Sequence, residues 1–172
     1  MSILSTASIK LGGFLCAHAL WILSDLPHGD MYVPQALCSK NGDIELVVFE
    51  ADTQAEAVAN GKQFLHSEAS NFDHCAFARD GQVMTAAGYV DVLIVELVEG
   101  ASDSIVVLQP YSAREGFQLL GNEVVATETS DLDEATFRAS FREGAKDHTN
   151  ALAVWGPLNS NRTIVSPLAK AE

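Results

Sequence analysis

Residues 66–75 of the chain, HSEASNFDHC, hold its densest group of side chains that could do chemistry. Two histidines, two carboxylates and a cysteine fall within these ten positions. Such residues bind transition metals and transfer protons. Whether they can act together depends on the backbone, because residues two apart share a face on a strand and point in nearly opposite directions on a helix.

The first half of this stretch is predicted to form the C-terminal end of a helix. Thr53 and Glu56 have the spacing of a capping box, which predicts a helix from Thr53 to about Ala69. On that helix His66 and Glu68 are separated by about 200° around the axis. The two side chains therefore cannot bind one metal ion.

The second half is predicted to begin a strand, on which Asp73 and Cys75 share a face and His74 lies on the other. A contact of His66 with His74 or Asp73 across the intervening turn stays open. His66, Asp73 and His74 are therefore the candidate catalytic residues of a small enzyme or small-ligand-binding domain with a pocket near them. The plainer interpretation places Cys75 in the core, Asp73 at the turn and both histidines partly in solvent.

A second candidate site is a pair of basic residues. Arg138 and Arg142 are four apart on the last predicted helix, so they lie on one face. They are candidate binding residues for an anion or a carboxylate. The plainer interpretation is an ion pair with Glu134 within the same helix.

The cysteines give no sign of a metal or redox motif. Cys16, Cys38 and Cys75 are widely spaced and odd in number, and no CxxC pair occurs. This pattern argues against a disulfide framework and a zinc ribbon, and it is typical of buried thiols in a reducing compartment. We expect no metal site, no cofactor and a cytoplasmic protein.

The composition limits the partners. The net charge is −13, from ten Lys and Arg against 23 Asp and Glu. Nucleic-acid binding needs basic residues to neutralise phosphates, so it is not expected, and docking onto an anionic membrane is disfavoured. A basic protein partner would be attracted. Hydrophobic residues make up 48 % of the chain, which indicates a large core or an additional apolar surface for self-association.

The apolar run at residues 11–23 is predicted to lie in a buried first helix, over 7–24. The run itself is shorter than the roughly 18 residues of a membrane span, and no small-x-small cleavage site follows it. Its apolar residues surround the helix axis, so the helix should be buried on several sides or shared with a second subunit. The alternative is a signal or a membrane-bound segment.

Turn signals divide most of the remaining chain into strands. Asn41-Gly42 predicts a hairpin between strands at about 32–39 and 43–50, and the second of these is apolar on both faces, which predicts a central strand. Further strands are expected between 73 and 126, with a turn at Asp80-Gly81 and either one or two short strands at the end. The last helix is expected to begin near Ser130 or Asp131.

The resulting order is α-ββ-α-ββββ(β)-α, which predicts an α+β fold with a largely antiparallel sheet of about five to seven strands and three helices. We expect a single domain over residues 1–156 and a C-terminal tail over 157–172. The sequence favours a soluble, acidic, non-enzymatic interaction or binding module that forms a homo-oligomer, without a membrane span. It leaves open whether any catalysis occurs.

Overall fold

The computed structural model describes residues 4–27, 30–100, 104–114, 116–127, 132–160 and 168. The helices are α1 (Thr6–Asp25), α2 (Gln54–Glu68), α3 (Glu134–Lys146) and α4 (Leu152–Ser160). The strands are β1 (Gln35–Lys40), β2 (Asp43–Val48), β3 (His74–Thr85), β4 (Gly88–Val98), β5 (Ile105–Ser112), β6 (Gln118–Leu119) and β7 (Val124–Val125). The strands form one antiparallel sheet in the order β2-β1-β3-β4-β5-β6, and β7 also pairs with β5. The α+β class and the antiparallel sheet are confirmed.

α1 is the central helix of the larger core. Ser5 caps its N-terminus by accepting a hydrogen bond from the backbone N–H of Ser8, and the helix ends just before Leu26, which precedes Pro27. With 20 residues it is long and apolar enough to cross a membrane, but 61 % of its apolar window is buried inside this fold. The predicted burial on several sides is therefore confirmed.

Helices cover both faces of the sheet, with a larger core on one face and a smaller core on the other. Side chains alternate across each strand, so Leu37, Ala76 and Ala78 pack toward α1, α3 and α4. Their neighbours Cys38 and Phe77 pack toward α2 on the opposite face. The protein is therefore layered, with three helices on one side of the sheet and one helix on the other.

The β1–β2 hairpin forms as predicted, but β2 lies elsewhere in the sheet than expected. Asn41 and Gly42 both have positive φ, 52° and 86°, as a two-residue hairpin turn requires. The prediction that the second strand is central was wrong, because within the described residues β1 is the only strand that pairs with β2. A strand that is apolar on both faces can be central, or it can be an edge strand that leaves one face uncovered.

The predicted turn at Asp80-Gly81 is also wrong, since β3 continues through both residues. Gly81 serves packing instead: a Cβ built there would lie 2.7 Å from Cδ1 of Ile94 on the neighbouring strand. The chain turns later, at 86–87, where the Thr85 hydroxyl donates to the Gly88 carbonyl and accepts from the Ala87 N–H. Gly88 has a φ of 111°, which favours glycine.

The end of the chain differs from the expected order by one helix. Residues 117–126 form two short strands, the second of the two alternatives. α3 begins after Asp133, whose carboxylate accepts from two backbone N–H groups; Ser130 and Asp131 lie outside the described residues. The count of three helices was wrong: α4 is a fourth, although Gly156-Pro157 resembles a helix-breaking pair. Burial of Trp155 against the main core compensates for the weak local propensity.

α4 also spans residue 157, where the predicted C-terminal tail begins. Most of that tail lies outside the described residues. The division into a domain over 1–156 and a tail over 157–172 stays a prediction.

Candidate functional site

The structure separates the three candidate catalytic residues. His66 is exposed on α2, on one side of the sheet, while His74 points to the other side and contacts Ser8 of α1. The exposed Asp73 carboxylate accepts a hydrogen bond from the backbone N–H of Asn41 at 2.8 Å, which holds the turn of the first hairpin. Each of the three side chains has a different environment.

His74 is part of a polar cluster that the sequence did not reveal. Its Nδ1 lies 2.8 Å from the Ser8 hydroxyl, and the same hydroxyl donates to Glu99 at 3.1 Å. Because that hydroxyl has one proton, it must accept from His74 Nδ1–H while it donates to Glu99. Glu99 also accepts from the backbone N–H of Ser5 at 2.7 Å. The cluster places a carboxylate at the positive end of the α1 dipole.

This serine, histidine and glutamate do not form a catalytic triad. In a triad the histidine accepts the serine proton on one ring nitrogen and donates to a carboxylate from the other. Here Ser8 approaches Nδ1, the same nitrogen that lies nearest to Glu99 at 3.9 Å. Ser8 is also only 2 % exposed. The cluster therefore ties the start of α1 to β3 and to the end of β4.

Arg138 and Arg142 bind a carboxylate within the chain. The Nε atoms of both residues donate to Oε1 of Glu123, at 2.9 and 3.1 Å. Glu123 is 3 % exposed, and Arg142 also donates to the side chain of Asn122. The two arginines thus pair with Glu123, in the loop between β6 and β7. The plainer interpretation of the sequence had Glu134 as their partner. The pairing with Glu123 attaches α3 to the sheet.

Among the described residues, three exposed apolar side chains form a row on β2. Ile44, Leu46 and Val48 alternate along this edge strand and are 61 %, 44 % and 45 % exposed. They project toward the α1 side, since Leu46 is paired with Leu37 of the main core. An edge strand with exposed apolar side chains is a template for pairing with another strand.

A cavity of about 250 Å³ lies between this row and α1. Its lining is almost entirely apolar, with two histidines among the lining residues: Phe14, Leu15, His18, Leu37, Leu46 and His148. Trp21, which is 36 % exposed, packs beside the histidines, with ring centroids 5.8 Å from His18 and 5.5 Å from His148. The apolar surface thus continues from β2 onto α1.

The two histidines form a hydrogen-bonded pair, with His18 Nδ1 2.8 Å from His148 Nε2. The Ala151 N–H donates to His148 Nδ1, so that nitrogen must carry a lone pair. His148 then has its proton on Nε2 and donates to His18. Burial lowers the pKa of both rings, and the neighbouring ring lowers the pKa of His18 further. Both are therefore neutral in the folded protein near pH 7.

We refer to Ile44, Leu46, Val48 and the adjoining histidine cavity as the β2 surface. Sequence reasoning missed it because β2 was expected to be central and because His18 and His148 are 130 positions apart. The only signal in the sequence was the apolar character of both faces of β2. Among the residues that the structure describes, no group of three or more His, Cys, Asp or Glu side chains is arranged to hold a metal ion.

Comparison with known proteins gave no match to a protein-family model, a curated protein or a solved structure.

Proposed function

We propose that this chain is a non-enzymatic protein-interaction module that pairs with a second copy of itself through the β2 surface. The observation that supports this most directly is the exposed apolar row of Ile44, Leu46 and Val48 on an edge strand. We propose further that the protein is soluble and cytoplasmic, needs no cofactor, and neither spans a membrane nor binds nucleic acid.

The sequence of β2 is compatible with two-fold symmetric pairing. If two copies align antiparallel with Leu46 opposite Leu46, Ile44 faces Val48 of the other copy and Glu45 faces Val47. No two acidic side chains are then directly opposite each other. Of the two neighbouring symmetric registers, the one centred on Glu45 places that residue opposite itself, which is unfavourable. The one centred on Val47 places Ile44 opposite Glu50, beyond the end of β2. The apolar row and the charges therefore favour one register of a closed dimer.

A basic protein is the second kind of partner that the charge favours. The net charge of −13 would attract such a partner over a distance and would repel nucleic acid. Homodimer formation would still have to overcome repulsion between two acidic chains. It does so in this proposal through apolar burial along β2 and an extended hydrogen-bond ladder.

The alternative interpretation, an enzyme or ligand-binding domain centred on His66, Asp73 and His74, requires these side chains to converge. His66 and His74 lie on opposite sides of the sheet, and Asp73 is engaged with Asn41. No observation favours this function over the interaction module.

The test is sedimentation velocity over a wide concentration range, with Ile44→Lys as the variant and Met84→Lys as its control. Both residues are 61 % exposed, but Met84 lies near the tip of the β3–β4 hairpin, away from β2. We expect the wild type to dimerise and Ile44→Lys to raise the dimer dissociation constant at least about tenfold, equivalent to about 1.4 kcal/mol. Met84→Lys should leave the constant unchanged.

A wild type that remains monomeric at every concentration would refute self-association. Equal weakening by the two variants would place the interface elsewhere. Circular dichroism on both variants checks that the monomer fold is intact.

A further inference from the structure

Two of the three cysteines lie directly opposite each other in the sheet. Cys38 of β1 and Cys75 of β3 are partners in the antiparallel register. The Sγ atoms are 2.6 Å apart, although the residues are 37 positions apart in sequence. Both are buried, at 0 % and 2 % exposure, and both point into the smaller core under α2.

The backbone geometry at this pair suits a covalent bond. Directly opposite residues of an antiparallel pair have Cα atoms about 4.5–5.5 Å apart. A disulfide needs Cα atoms about 4.4–6.8 Å apart. The register therefore places the two thiols where a bond can form without moving either strand.

The two thiols also assist each other chemically. A thiolate on Cys75 accepts a hydrogen bond from the remaining thiol of Cys38, which lowers the pKa of Cys75. The same hydrogen bond, together with burial, raises the pKa of Cys38. Cys75 therefore forms a thiolate more readily than Cys38, and the thiolate is the nucleophilic species.

We propose that Cys38 and Cys75 are a dithiol site that closes reversibly into a cross-strand disulfide by exchange with an oxidised low-molecular-weight thiol of the glutathione class. The Cys75 thiolate attacks one sulfur of the small disulfide, and the first small thiolate leaves. The Cys38 sulfur, losing its proton to solvent, then attacks the mixed disulfide at Cys75 and releases the second small thiolate. The protein dithiol is oxidised by two electrons and the small disulfide is reduced by two.

Access to the pair depends on α2. The structure describes all 15 residues of this helix, and three of them are buried: Ala57, Gly61 and Leu65. Leu65, near the end of α2, belongs to the same buried cluster as the two cysteines, and so does Ala69, which follows the helix directly. An element with so few buried residues opens locally at low cost in free energy, so transient opening of the end of α2 admits the small disulfide.

This site is independent of the proposed self-association. In a reducing compartment the pair rests as two thiols, and it closes when the proportion of oxidised small thiol rises. The bond would tie β1 to β3 and would leave the side chains of Ile44, Leu46 and Val48 untouched. The bond adds a redox-dependent covalent link to a protein whose other contacts are noncovalent.

The experiment exposes fully reduced, folded protein to glutathione buffers of increasing disulfide fraction, followed by acid quenching, alkylation and intact-mass measurement. We expect a species that has lost two hydrogen atoms and takes up one alkyl group after denaturation, at Cys16. Nonreducing peptide mapping should give one crosslinked pair, Cys38 with Cys75. The thermal unfolding midpoint of this species should rise, because the crosslink restricts the unfolded chain.

Cys16→Ala is the matched control, since it removes the third buried thiol and should leave formation of the crosslink unchanged. In the Cys38→Ala variant, Cys75 should either form a mixed disulfide with glutathione or remain a free thiol. The mapping on the wild type is decisive even if that variant fails to fold. Three free thiols at the highest disulfide fraction, or a bridge that involves Cys16 or a second chain, would overturn the proposal.

Discussion

At the scale of single residues, the hydrogen bonds of the His18–His148 pair fix its charge. His148 Nδ1 accepts from the Ala151 N–H, and His18 Nδ1 accepts from His148 Nε2. A proton added at either Nδ1 would remove one of these acceptors and place a charge beside Phe14 and Trp21. The folded protein therefore binds these protons less readily than the unfolded chain does.

The expected consequence is a loss of stability in acid. The pKa of each histidine is lowered from its ordinary value of 6.5 on folding. Their contribution to stability is fully present above 6.5 and is lost as the pH falls from that value through the lower folded-state pKa. Urea unfolding of the wild type should give a smaller unfolding free energy at about pH 5 than at about pH 7.5.

The variants separate this effect from the titration of carboxylates. His18→Gln should reduce the difference in unfolding free energy between the two pH values. His66→Gln, on the exposed face of α2, should leave the wild-type difference unchanged. If both variants retain the full difference, the histidine pair is not its source.

At the scale of elements, α1 and α3 pack closely enough for their backbones to touch. A Cβ built on Gly13 would lie 1.7 Å from the carbonyl oxygen of Phe141. One built on Gly144 would lie 1.9 Å from the carbonyl oxygen of Lys10. Each helix thus uses a glycine where the other helix presents its backbone, and a backbone cannot move aside as a flexible side chain can.

Gly13→Ala should therefore destabilise the protein by about 1–3 kcal/mol, because a methyl group would force the two helices apart. Gly156→Ala in α4 is the control: a Cβ there meets nothing within 4 Å, so the change should be neutral or stabilise by up to about 1 kcal/mol. Chemical denaturation measures both. Equal effects at the two glycines would contradict the close helix crossing.

At the scale of the whole molecule, acidity opposes the association that the β2 surface favours. Each copy has a net charge of −13. Like charges on two associating chains repel, and salt screens this repulsion. Burial of Ile44, Leu46 and Val48 does not depend on charge, so the balance between the two effects should shift with ionic strength.

Added salt should accordingly strengthen the dimer. Raising the ionic strength from about 0.01 M to 0.15 M shortens the Debye length from about 30 Å to about 8 Å. Sedimentation equilibrium should show a lower dimer dissociation constant at the higher salt. Dissociation on adding salt would instead indicate an interface held by opposite charges. That result would contradict an interface formed by Ile44, Leu46 and Val48.

Local signals in the sequence were sufficient for several elements. Thr53 caps α2 as predicted, since its hydroxyl accepts from the Glu56 N–H, one of the two hydrogen bonds of a capping box, and α2 begins there. Asn41-Gly42 makes the predicted hairpin turn. These features depend on a few neighbouring residues, whose preferences are expressed regardless of the remaining fold.

Asp80-Gly81 shows where the same kind of reasoning fails. The dipeptide is a turn signal by local preference. In the structure Asp80 accepts a hydrogen bond from the Tyr111 hydroxyl, and Gly81 makes room for Ile94. Both partners lie on other strands, so no local signal contains them.

The sequence by itself determined the α+β class, the order of most elements and the acidity, because periodicity, turn residues and charge are local or additive properties. Only the tertiary structure decided that β2 is an edge strand, that His66 and His74 face opposite sides of the sheet, and that Cys38 lies opposite Cys75. These facts depend on which strands become neighbours. Strand neighbours are chosen by packing of the whole chain, since many alternative pairings satisfy the same local preferences.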